Sequence, residues 1–430
     1  MLHDKEGVLA NFFPGEGFVN RQLYPADYKD YSPRVGFAYS PKRIRRVVIR
    51  GGYGLFFDAQ SVNSFDSVSA SNGAARGIGY NPGGSKPVYN LSATNILFQP
   101  GVPVFGSAVP TPPFGSFAIS QNYRTPYSQN FNLNIQTRIT DSTLLQTGYV
   151  GTLGRRLALV ENINQPINGV RPLAQQFPTL GSINMLSTVA TSSYNSLQVA
   201  LRQQLWNGLT ANINYTWSHS IDTASSVTTP MNSYNLALDK GASTFDTRHI
   251  LTGFISYDAP QLAHFAPRLT KGWQFRALIT ETSGSPINIT DGKNIDLTGE
   301  NKDRPNLIGD PFANVPVLAN TRAVQFFNPA AFAASPSGTY GNLGRDAIVG
   351  PSFGSVDFSI FKRTPVTERI MSELRVETFN IFNHINWANP TTNLSSGSFG
   401  QMSNTRNGVS APGLGFGEPR NVQLALKLIF

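Results

Sequence analysis

Residues 195–218 read NSLQVALRQQLWNGLTANINYTWS, and this stretch gives the clearest indication of the fold. Apolar and polar residues alternate in two runs, 197–205 and 209–217, and the dipeptide Asn207-Gly208 separates them. Alternation with a period of two is typical of a β-strand that has one apolar and one polar face. Because Asn-Gly between two such runs is the strongest short-range signal for a hairpin, the stretch predicts two antiparallel strands joined by a tight turn.

The same alternation recurs along the chain and predicts eleven strands. They are expected at residues 33–39, 47–57, 127–138, 142–150, 194–205, 208–218, 247–257, 271–281, 355–361, 370–381 and 420–430. The connections between them contain 7, 69, 3, 43, 2, 28, 13, 73, 8 and 38 residues, so short and long connections alternate throughout. Outer-membrane barrels have short periplasmic turns and long extracellular loops. The sequence therefore predicts an all-β fold, an antiparallel up-and-down transmembrane β-barrel.

Composition agrees with this fold class. The 430-residue chain has a net charge of +9, but only 14% of its residues are charged, against about 25% in a typical soluble domain. A helical bundle would need more Glu and Lys on its wet faces, so it is disfavoured. Cysteine is absent, which excludes disulfides, thiolate metal sites and a cysteine nucleophile. No run of 18 apolar residues indicates a transmembrane helix, and the first seven residues lack the apolar segment of a signal peptide.

Aromatic residues collect near the ends of the predicted strands. In a transmembrane barrel such residues form girdles at the two membrane surfaces, because the ring is apolar while its polar edge stays wet. The predicted girdle consists of Tyr127, Tyr149, Tyr194 and Trp217 beside the long loops, and of Trp206, Tyr257 and Trp273, with Tyr39 and Phe430, beside the short turns. Aromatic residues are also common in strands generally, so the girdle supports the barrel without deciding it.

Several segments resemble the Oar-like TonB-dependent receptors, which are bacterial outer-membrane transporters. These segments are Pro33–Tyr39, Val48–Asp58, Thr125–Leu133, Tyr149–Gly151, Tyr194–Gln198, Tyr215–Ser220, Phe245–His249 and Arg375–Asn383. The resemblance implies a barrel of about 22 strands around an N-terminal plug. It also implies that an inner-membrane motor pulls the TonB box of the plug, and that a carboxypeptidase-regulatory-like domain often precedes the plug.

With about eleven of 22 strands, residues 1–430 are expected to be the C-terminal part of such a barrel. The signal peptide, the carboxypeptidase-regulatory-like domain and the plug domain are expected to be absent. Bacterial barrels have an even number of strands, so a further strand is expected before Pro33. The chain alone is then expected to aggregate or dimerise through its two open edges.

The resemblance implies TonB-dependent uptake or export of a bulky solute in the bacterial outer membrane. The implied partners are outer-membrane lipid and lipopolysaccharide, the barrel-assembly machinery, the TonB complex through the plug, and an unidentified bulky solute. Phe430, Leu428 and Leu426 match the alternating C-terminal signal that the assembly machinery reads. No enzyme activity, catalytic residue, metal site, cofactor or nucleic-acid partner is expected. Two alternatives stay open, a non-pumping adhesin or structural barrel and a secreted, soluble β-sandwich that binds carbohydrate.

Rival chemical sites are weaker than this interpretation. The basic segment Lys42–Arg46 has no interleaved aromatic residues for stacking on nucleic acid, so it is interpreted as a solvated periplasmic turn. Asp246 and His249 could belong to a hydrolase triad, but no Gly-x-Ser-x-Gly elbow accompanies them. We expect them instead to hydrogen-bond an outer loop where it enters a strand. The glycine-rich segment Gly413–Gly417 follows no predicted strand, so it is not expected to bind phosphate.

Overall fold

The computed structural model describes residues 27–44, 46–58, 113–178, 180–261, 263, 265–319, 322–406 and 419–430. The strands in these residues are β1 (Arg34–Tyr39), β2 (Val47–Phe57), β3 (Phe114–Ile119), β4 (Tyr127–Arg138), β5 (Thr143–Asn162), β6 (Leu180–Trp206), β7 (Leu209–Asp222), β8 (Gly241–Ala242), β9 (His249–Asp258), β10 (Trp273–Thr282), β11 (Pro286–Ile287), β12 (Asn306–Leu307), β13 (Val324–Gln325), β14 (Phe332–Ala333), β15 (Ile348–Val349), β16 (Phe353–Pro365), β17 (Met371–Phe379), β18 (Gln401–Met402) and β19 (Asn421–Ile429). Short helical turns lie at Leu236–Asp239, Pro267–Thr270 and Pro329–Ala331. No helix in the described part of the chain is long and apolar enough to cross a bilayer.

Eleven strands form one continuous antiparallel path in the order β1-β2-β4-β5-β6-β7-β9-β10-β16-β17-β19. These are the eleven predicted strands, and each one pairs with its neighbours along the chain, so the up-and-down topology is confirmed. The path ends at β1 and β19, which do not pair with each other in the described residues. The connections along it contain 7, 69, 4, 17, 2, 26, 14, 70, 5 and 41 residues, and short and long still alternate. A single sheet of this kind excludes the two packed sheets of a β-sandwich.

The hairpin predicted in residues 195–218 is confirmed in detail. Asn207 and Gly208 both have positive φ angles, of 48° and 84°, as a two-residue type I′ turn requires. A Cβ atom on Gly208 would lie 2.2 Å from the carbonyl oxygen of Asp258 on the neighbouring strand. Glycine is therefore needed at this turn both for its φ angle and for space.

The strand register separates one apolar face from one polar face. Tyr149 pairs with Leu197, and Leu197 pairs with Trp217, so these side chains form one apolar row across β5, β6 and β7. At the alternate positions Gln198 pairs with Thr216. Because directly paired residues of antiparallel strands project to the same side of the sheet, the predicted alternation places apolar and polar side chains on opposite faces.

The apolar face extends over the rest of the path. Ile213 pairs with Gly253, which pairs with Ile279, and Ile279 pairs with Val356. A Cβ atom on Gly253 would lie 3.5 Å from Ile279 and 3.8 Å from Ile213, so these two side chains pack over the glycine. Towards the C-terminal end of the path, the same face continues through the pairs of Val376 with Ile360 and with Leu424.

Strands β5 and β6 extend much farther than the sequence predicted. They were expected at 142–150 and 194–205, but they cover Thr143–Asn162 and Leu180–Trp206. The 27 residues of β6 span about 90 Å at ~3.3 Å per residue, whereas a tilted strand crosses a membrane in about 9–11 residues. The hairpin therefore continues beyond the membrane, where the short strand β3 pairs with β6 in parallel.

The last two long connections fold into a compact unit, here called the cap, which comprises residues 283–352 and 380–406. Three two-stranded ladders run through it, β11 with β15, β12 with β14 and β13 with β18. Its buried apolar core contains Ile287, Ile289, Phe327, Ala331, Phe332, Leu343, Ile348 and Phe399. The Phe327 ring lies 5.2 Å from that of Phe332 and 5.0 Å from that of Phe399, measured between centroids. The end of the sheet that carries the long loops therefore has a hydrophobic core of its own.

Candidate ligand-binding cap

A buried arginine joins the cap to the loop between β7 and β9. The Arg304 side chain is 3% exposed, and its Nη1 donates to Oδ1 of Asp239 at 2.6 Å. The other guanidinium nitrogens donate to the carbonyl oxygens of Leu343 at 3.0 Å and Leu238 at 2.7 Å. Each of the three guanidinium nitrogens has an acceptor, and Asp239 supplies the opposite charge that a buried guanidinium requires.

Arg345 makes a second connection, from the cap to the end of β7. Its guanidinium contacts the Asp222 carboxylate, donates to the Asp222 carbonyl at 2.8 Å and donates to Asp346 Oδ2 at 3.0 Å. Its Nε donates to the Asp239 carbonyl at 2.6 Å. A Cβ atom on Gly241 would lie 2.3 Å from the Arg345 carbonyl oxygen, so the backbones approach closely here. The cap is thus fixed to the barrel wall by charge pairs and tight packing.

A cavity of about 280 Å³ lies between the cap and the β7–β9 loop, and both apolar residues, such as Leu159 and Met231, and polar residues line it. Its wall carries hydroxyl groups together with paired charges, from Thr223, Ser225, Ser226, Thr228, Thr229, Thr244, Asp239, Lys302, Arg304, Arg345 and Asp346. Lys302 Nζ donates to the Oγ1 atoms of Thr228 at 2.9 Å and Thr229 at 2.8 Å, and burial lowers the pKa of this ammonium. The basic groups of the wall already have acceptors, so the hydroxyl groups and the carboxylates dominate what a ligand would meet.

Asp346 leaves one acceptor unmet beside this cavity. Its Oδ2 accepts from Arg345, but its buried Oδ1 accepts no hydrogen bond from the described residues. Burial raises the pKa of Asp346, which Arg345 partly opposes. Asp346 also lines a second cavity of about 450 Å³, on the side of Arg248 and His219. An unmet acceptor in the wall of both cavities favours a ligand that carries a hydrogen-bond donor.

The aspartate of the hypothetical hydrolase triad has a structural role instead. Asp246 Oδ2 bonds to Nδ1 of His219 at 3.0 Å and accepts from Nε of Arg248 at 2.8 Å, while its Oδ1 accepts from the Ser220 backbone at 2.7 Å. His249 bonds to the Tyr215 hydroxyl, at 2.8 Å, and not to Asp246. The side chains of Asp246 and His249 therefore bond mainly to strand β7 and not to the outer loop as expected, and no Ser-His-Asp arrangement forms around Asp246.

Of the two other segments considered as rival sites, only the basic segment lies, in part, within the described residues. Lys42 and Arg43 are exposed residues of the turn between β1 and β2. Arg46 contacts Asp141 in the next short turn at 3.5 Å, as expected for a solvated turn. Gly413–Gly417 lies outside the described residues.

Seven of the nine predicted girdle residues lie on the apolar face of the sheet, and Phe430 follows the last strand. The seven are Tyr39, Tyr127, Tyr149, Trp206, Trp217, Tyr257 and Trp273. Tyr194 differs, because it pairs with Thr152 and Ser220, one position out of phase with the apolar row. It therefore lies on the polar face, and its place in the girdle stays a prediction without support from the register.

The girdle residues fall into two rows at a spacing suited to a membrane. The row of Tyr149 and Trp217 crosses β7 at Trp217, and the row of Trp206 and Tyr257 crosses it at Leu209. Eight residues correspond to about 27 Å along a strand, or about 21 Å along the axis of a barrel whose strands tilt by ~40°. This height is close to the ~25 Å apolar band of outer-membrane barrels. The Trp217 side chain is 54% exposed, as a residue that faces lipid must be in the absence of the membrane.

The predicted assembly signal lies at the edge of the sheet. Leu426 pairs with Leu374 and Leu428 pairs with Ser372, while Phe430 follows the last strand and is 87% exposed. Leu426 and Leu428 share one face with Leu424, and all three are exposed. The three residues of the signal are therefore accessible from one side of β19, and their reading by the assembly machinery stays a prediction.

Deletion of Phe430 from the full-length protein is expected to reduce surface display several-fold while synthesis stays unchanged. The physical reason is that the terminal aromatic ring is the part of the signal that packs against no strand. Surface labelling of intact cells, normalised to total protein, measures the effect. Phe430→Tyr keeps an aromatic ring and is the matched control, expected to retain display. Equal display of the deletion variant and the parent would remove Phe430 as a recognition element.

Asp246, which the sequence singles out, lines the second cavity, but the charged residues that join the cap to the barrel wall were not predicted. Arg304 and Asp239 are 65 positions apart and Arg345 and Asp222 are 123 apart, in connections that were expected to be plain loops. No local period relates such residues. The one usable signal was the presence of several Asp and Arg residues in connections of a chain that is otherwise poor in charge.

Comparisons with known proteins agree with this geometry. The family model described as "Outer membrane beta barrel domain" matches residues 6–423. Among solved structures, the outer membrane transporter YddB from Escherichia coli is similar with a TM-score of 0.52 at 8% identity, over 93% of this chain and 40% of that one. The siderophore receptor PiuA from Acinetobacter baumannii has a TM-score of 0.43 at 11% identity, over 92% of this chain and 35% of that one.

These solved proteins are much longer than the part that matches. The chain spans 40% of the length of YddB and 35% of the length of PiuA. At such low identity the likeness to YddB shows the fold alone. No curated protein matches the chain.

Proposed function

We propose a transport role for this chain, which belongs to the outer membrane beta barrel domain family and lies in the bacterial outer membrane. In this proposal its eleven strands are about half of the wall of a TonB-dependent receptor barrel. The cap and the β7–β9 loop stand outside the cell, where they meet the solute first. The TonB complex would act through a plug domain that precedes the barrel in the full-length receptor.

The observation that carries the proposal is a folded cap above a sheet with one lipid-facing side. A purely structural barrel needs no cavity at its outer end. Here the apolar face ends at the row of Trp217, and residues beyond it on β7 lead into a wall of hydroxyl groups and paired charges. An outer-membrane receptor requires an apolar surface that contacts lipid and, at its outer end, a cavity with polar groups that can bind a solute.

The cavity wall also favours one class of solute. Arg304 and Arg345 are already paired with carboxylates, Lys302 already donates to Thr228 and Thr229, and Asp346 Oδ1 has no donor among the described residues. Hydroxyl groups such as those of Thr223 and Ser225 can either donate or accept. We therefore propose a bulky solute with several hydroxyl or amine groups, of which one part enters the cavity. Outer-membrane lipid and lipopolysaccharide would contact the opposite, apolar face.

The absence of cysteine in the chain allows a direct test of orientation. Single cysteines would be placed at Ser226, in the cavity wall, and at Asp141, in a short turn. A membrane-impermeant maleimide should label Ser226→Cys on intact cells, and Asp141→Cys only after the outer membrane is opened. The reverse pattern would place the cap in the periplasm and contradict the proposal.

Transport itself is tested by depletion of solutes from the growth medium. Cells with the full-length protein, with and without a working TonB complex, would be compared by untargeted mass spectrometry of their medium. Loss of a solute only when both are present supports uptake. Ser226→Trp, which fills the cavity, should abolish that loss, whereas Val227→Trp, next to it but outside the cavity lining, should not. Surface attachment without TonB-dependent depletion or export would favour the adhesin alternative.

A further inference from the structure

Three buried aspartates lie within thirteen residues of the cap. Residues 291–303 read DGKNIDLTGENKD, and Asp291, Asp296 and Asp303 are 1%, 4% and 3% exposed. Asp291 N–H donates to the Asp303 carbonyl at 2.8 Å, which closes the segment on itself. The segment is thus a tight loop with its carboxylates turned inward.

Only some of the oxygen atoms of these carboxylates accept hydrogen bonds from the described residues. Asp303 Oδ2 accepts from the backbone N–H of Asp296 at 2.9 Å and from that of Ile295. Asp296 Oδ1 accepts from the N–H and the hydroxyl of Thr298, at 3.0 and 2.8 Å. The four remaining oxygens are Asp296 Oδ2, Asp303 Oδ1 and both oxygens of Asp291, and they accept no hydrogen bond of normal geometry from the described residues.

The unmet oxygens belong to charges that repel one another. The Asp296 and Asp303 carboxylates lie within hydrogen-bonding range of each other. Burial first, and then the charge of Asp303, raises the pKa of Asp291 to about 6, and the nearby Ser335 N–H and Lys293 lower it only in part. Burial likewise raises the pKa of Asp296 to about 6. Ionised carboxylates this deeply buried are costly unless a cation compensates them.

The neighbouring cations of the chain are engaged elsewhere. Lys302 donates to Thr228 and Thr229, and Arg304 pairs with Asp239. Around the loop, the structure describes no other Lys or Arg that forms an ion pair with the three aspartates. Lys293 lowers the pKa of Asp291 only in part and forms no ion pair with the three aspartates within the described residues, so a cation from outside the chain would compensate the remaining charge.

We propose that the loop 291–303 binds a Ca²⁺ ion, with Asp296 Oδ2 and Asp303 Oδ1 as carboxylate ligands and Asp291 linked to the ion through water. Ca²⁺ takes six to eight oxygen ligands in irregular geometry, including carbonyls and waters, and Mg²⁺ demands a near-ideal octahedron. No three His, Cys, Asp or Glu side chains in the described residues already converge as a metal centre does. Two carboxylates supplemented by carbonyl and water oxygens are consistent with that finding, and they suit Ca²⁺.

Bound Ca²⁺ would fix the cap to the barrel wall. Glu300, inside the loop, accepts from Nδ2 of Asn162 at the outer end of β5, at 2.9 Å. Two residues before Glu300, Thr298 is held by Asp296 through two hydrogen bonds. An ordered loop would therefore hold Glu300 in its hydrogen bond to Asn162 of β5. This role is independent of which solute, if any, is transported.

Terbium luminescence provides a direct test. Tb³⁺ replaces Ca²⁺ at oxygen sites and emits when a nearby tyrosine is excited. Tyr340 lies near the loop, because burial first, and then the charges of Asp296 and Asp303, raise its pKa. The full-length protein, purified in detergent and freed of divalent ions with EDTA, should sensitise Tb³⁺ at pH 7.5. Added Ca²⁺ should quench the signal, and Mg²⁺ should do so far less. Tyr340→Phe should lose the emission but keep the Ca²⁺-dependent rise in melting temperature.

The matched variants remove one carboxylate at a time. Asp296→Asn and Asp303→Asn should weaken Ca²⁺ binding about tenfold or more, because ligand charge sets the affinity of such sites. Asp310→Asn, at an exposed position of the same connection, should bind as the parent does. Absence of Tb³⁺ emission in the parent, or equal Ca²⁺ affinity in all three variants, would overturn the proposal. A melting temperature that responds to pH but not to Ca²⁺ would instead identify a proton shared by Asp296 and Asp303, and it would also overturn it.

Discussion

Replacement of Arg304 by methionine is expected to unfold the cap while the barrel strands stay paired. The substitution leaves the buried Asp239 carboxylate without its cation, and it leaves the carbonyls of Leu343 and Leu238 without a donor. Removal of one partner from a buried ion pair costs about 3–5 kcal/mol. The aromatic core around Phe327 supports the cap separately, so the loss should appear as local opening and not as global unfolding of the sheet.

Limited proteolysis of the folded protein measures this effect, with cleavage expected within residues 223–248 and 283–352. Arg369→Met, at an exposed turn position, is the matched control and should leave the digestion pattern unchanged. The double variant Arg304→Met with Asp239→Asn removes the uncompensated charge and should recover part of the protection. If the double variant is cleaved as fast as Arg304→Met alone, the lost packing of the long side chain, and not the stranded carboxylate, is the cause.

The path of the sheet could be predicted because it depends on local alternation. Each of the eleven strands carries its own period of two, and Asn207-Gly208 carries its own turn geometry. Strand ends were less predictable where the period breaks. β5 is interrupted by bulges between Gly154 and Leu159, and Arg156 there has a φ of 54°. A bulge shifts the alternation by one residue, so the outer half of β5 no longer matches the pattern of its inner half.

The same effect explains the end of β6. Gln203 is a polar residue at an apolar position of the alternating run 197–205, and the register shifts between Gln203 and Trp206. The shift moves Trp206 onto the apolar face, next to Leu209, although simple parity from Leu205 would place it on the polar one. Tyr194 shows the limit of a criterion based on position alone, because it lies at the right height but has the wrong parity.

The cap could not be predicted from local patterns, since its contacts join distant segments. Its three ladders contain two residues per strand, too few to give a period. The acidic loop is the exception. Asp291, Asp296 and Asp303 were visible in the sequence, together with glycines at 292 and 299 that have positive φ angles. What the sequence does not show is that all three carboxylates are buried, and that fact distinguishes a candidate ion site from a solvated loop.

The assignment of the apolar face to lipid predicts opposite outcomes for two adjacent substitutions on β7. Ile213 lies on the apolar face, four residues from each aromatic row, and packs over Gly253 beside Ile279. Ile213→Arg would place a guanidinium near the midplane of the membrane, at a cost of about 2–4 kcal/mol. Asn212 lies on the polar face, where an arginine stays hydrated, so Asn212→Arg should have a much smaller effect. The folded yield of each variant in outer membranes measures the difference.

The strand register adds a charge effect at Asn212. Asn212 is directly paired with Arg202, and like charges opposite each other across two strands are mildly destabilising, by up to about 1 kcal/mol. Asn214→Arg avoids that pair, because Asn214 faces Ala200 and Thr252, and it should fold as well as the parent. The expected order of folded yield is therefore Asn214→Arg, then Asn212→Arg, then Ile213→Arg. Equal yields for Ile213→Arg and Asn214→Arg would mean that the apolar face does not meet lipid, because the bilayer is the only surrounding in which the two positions differ so strongly in the cost of a charge.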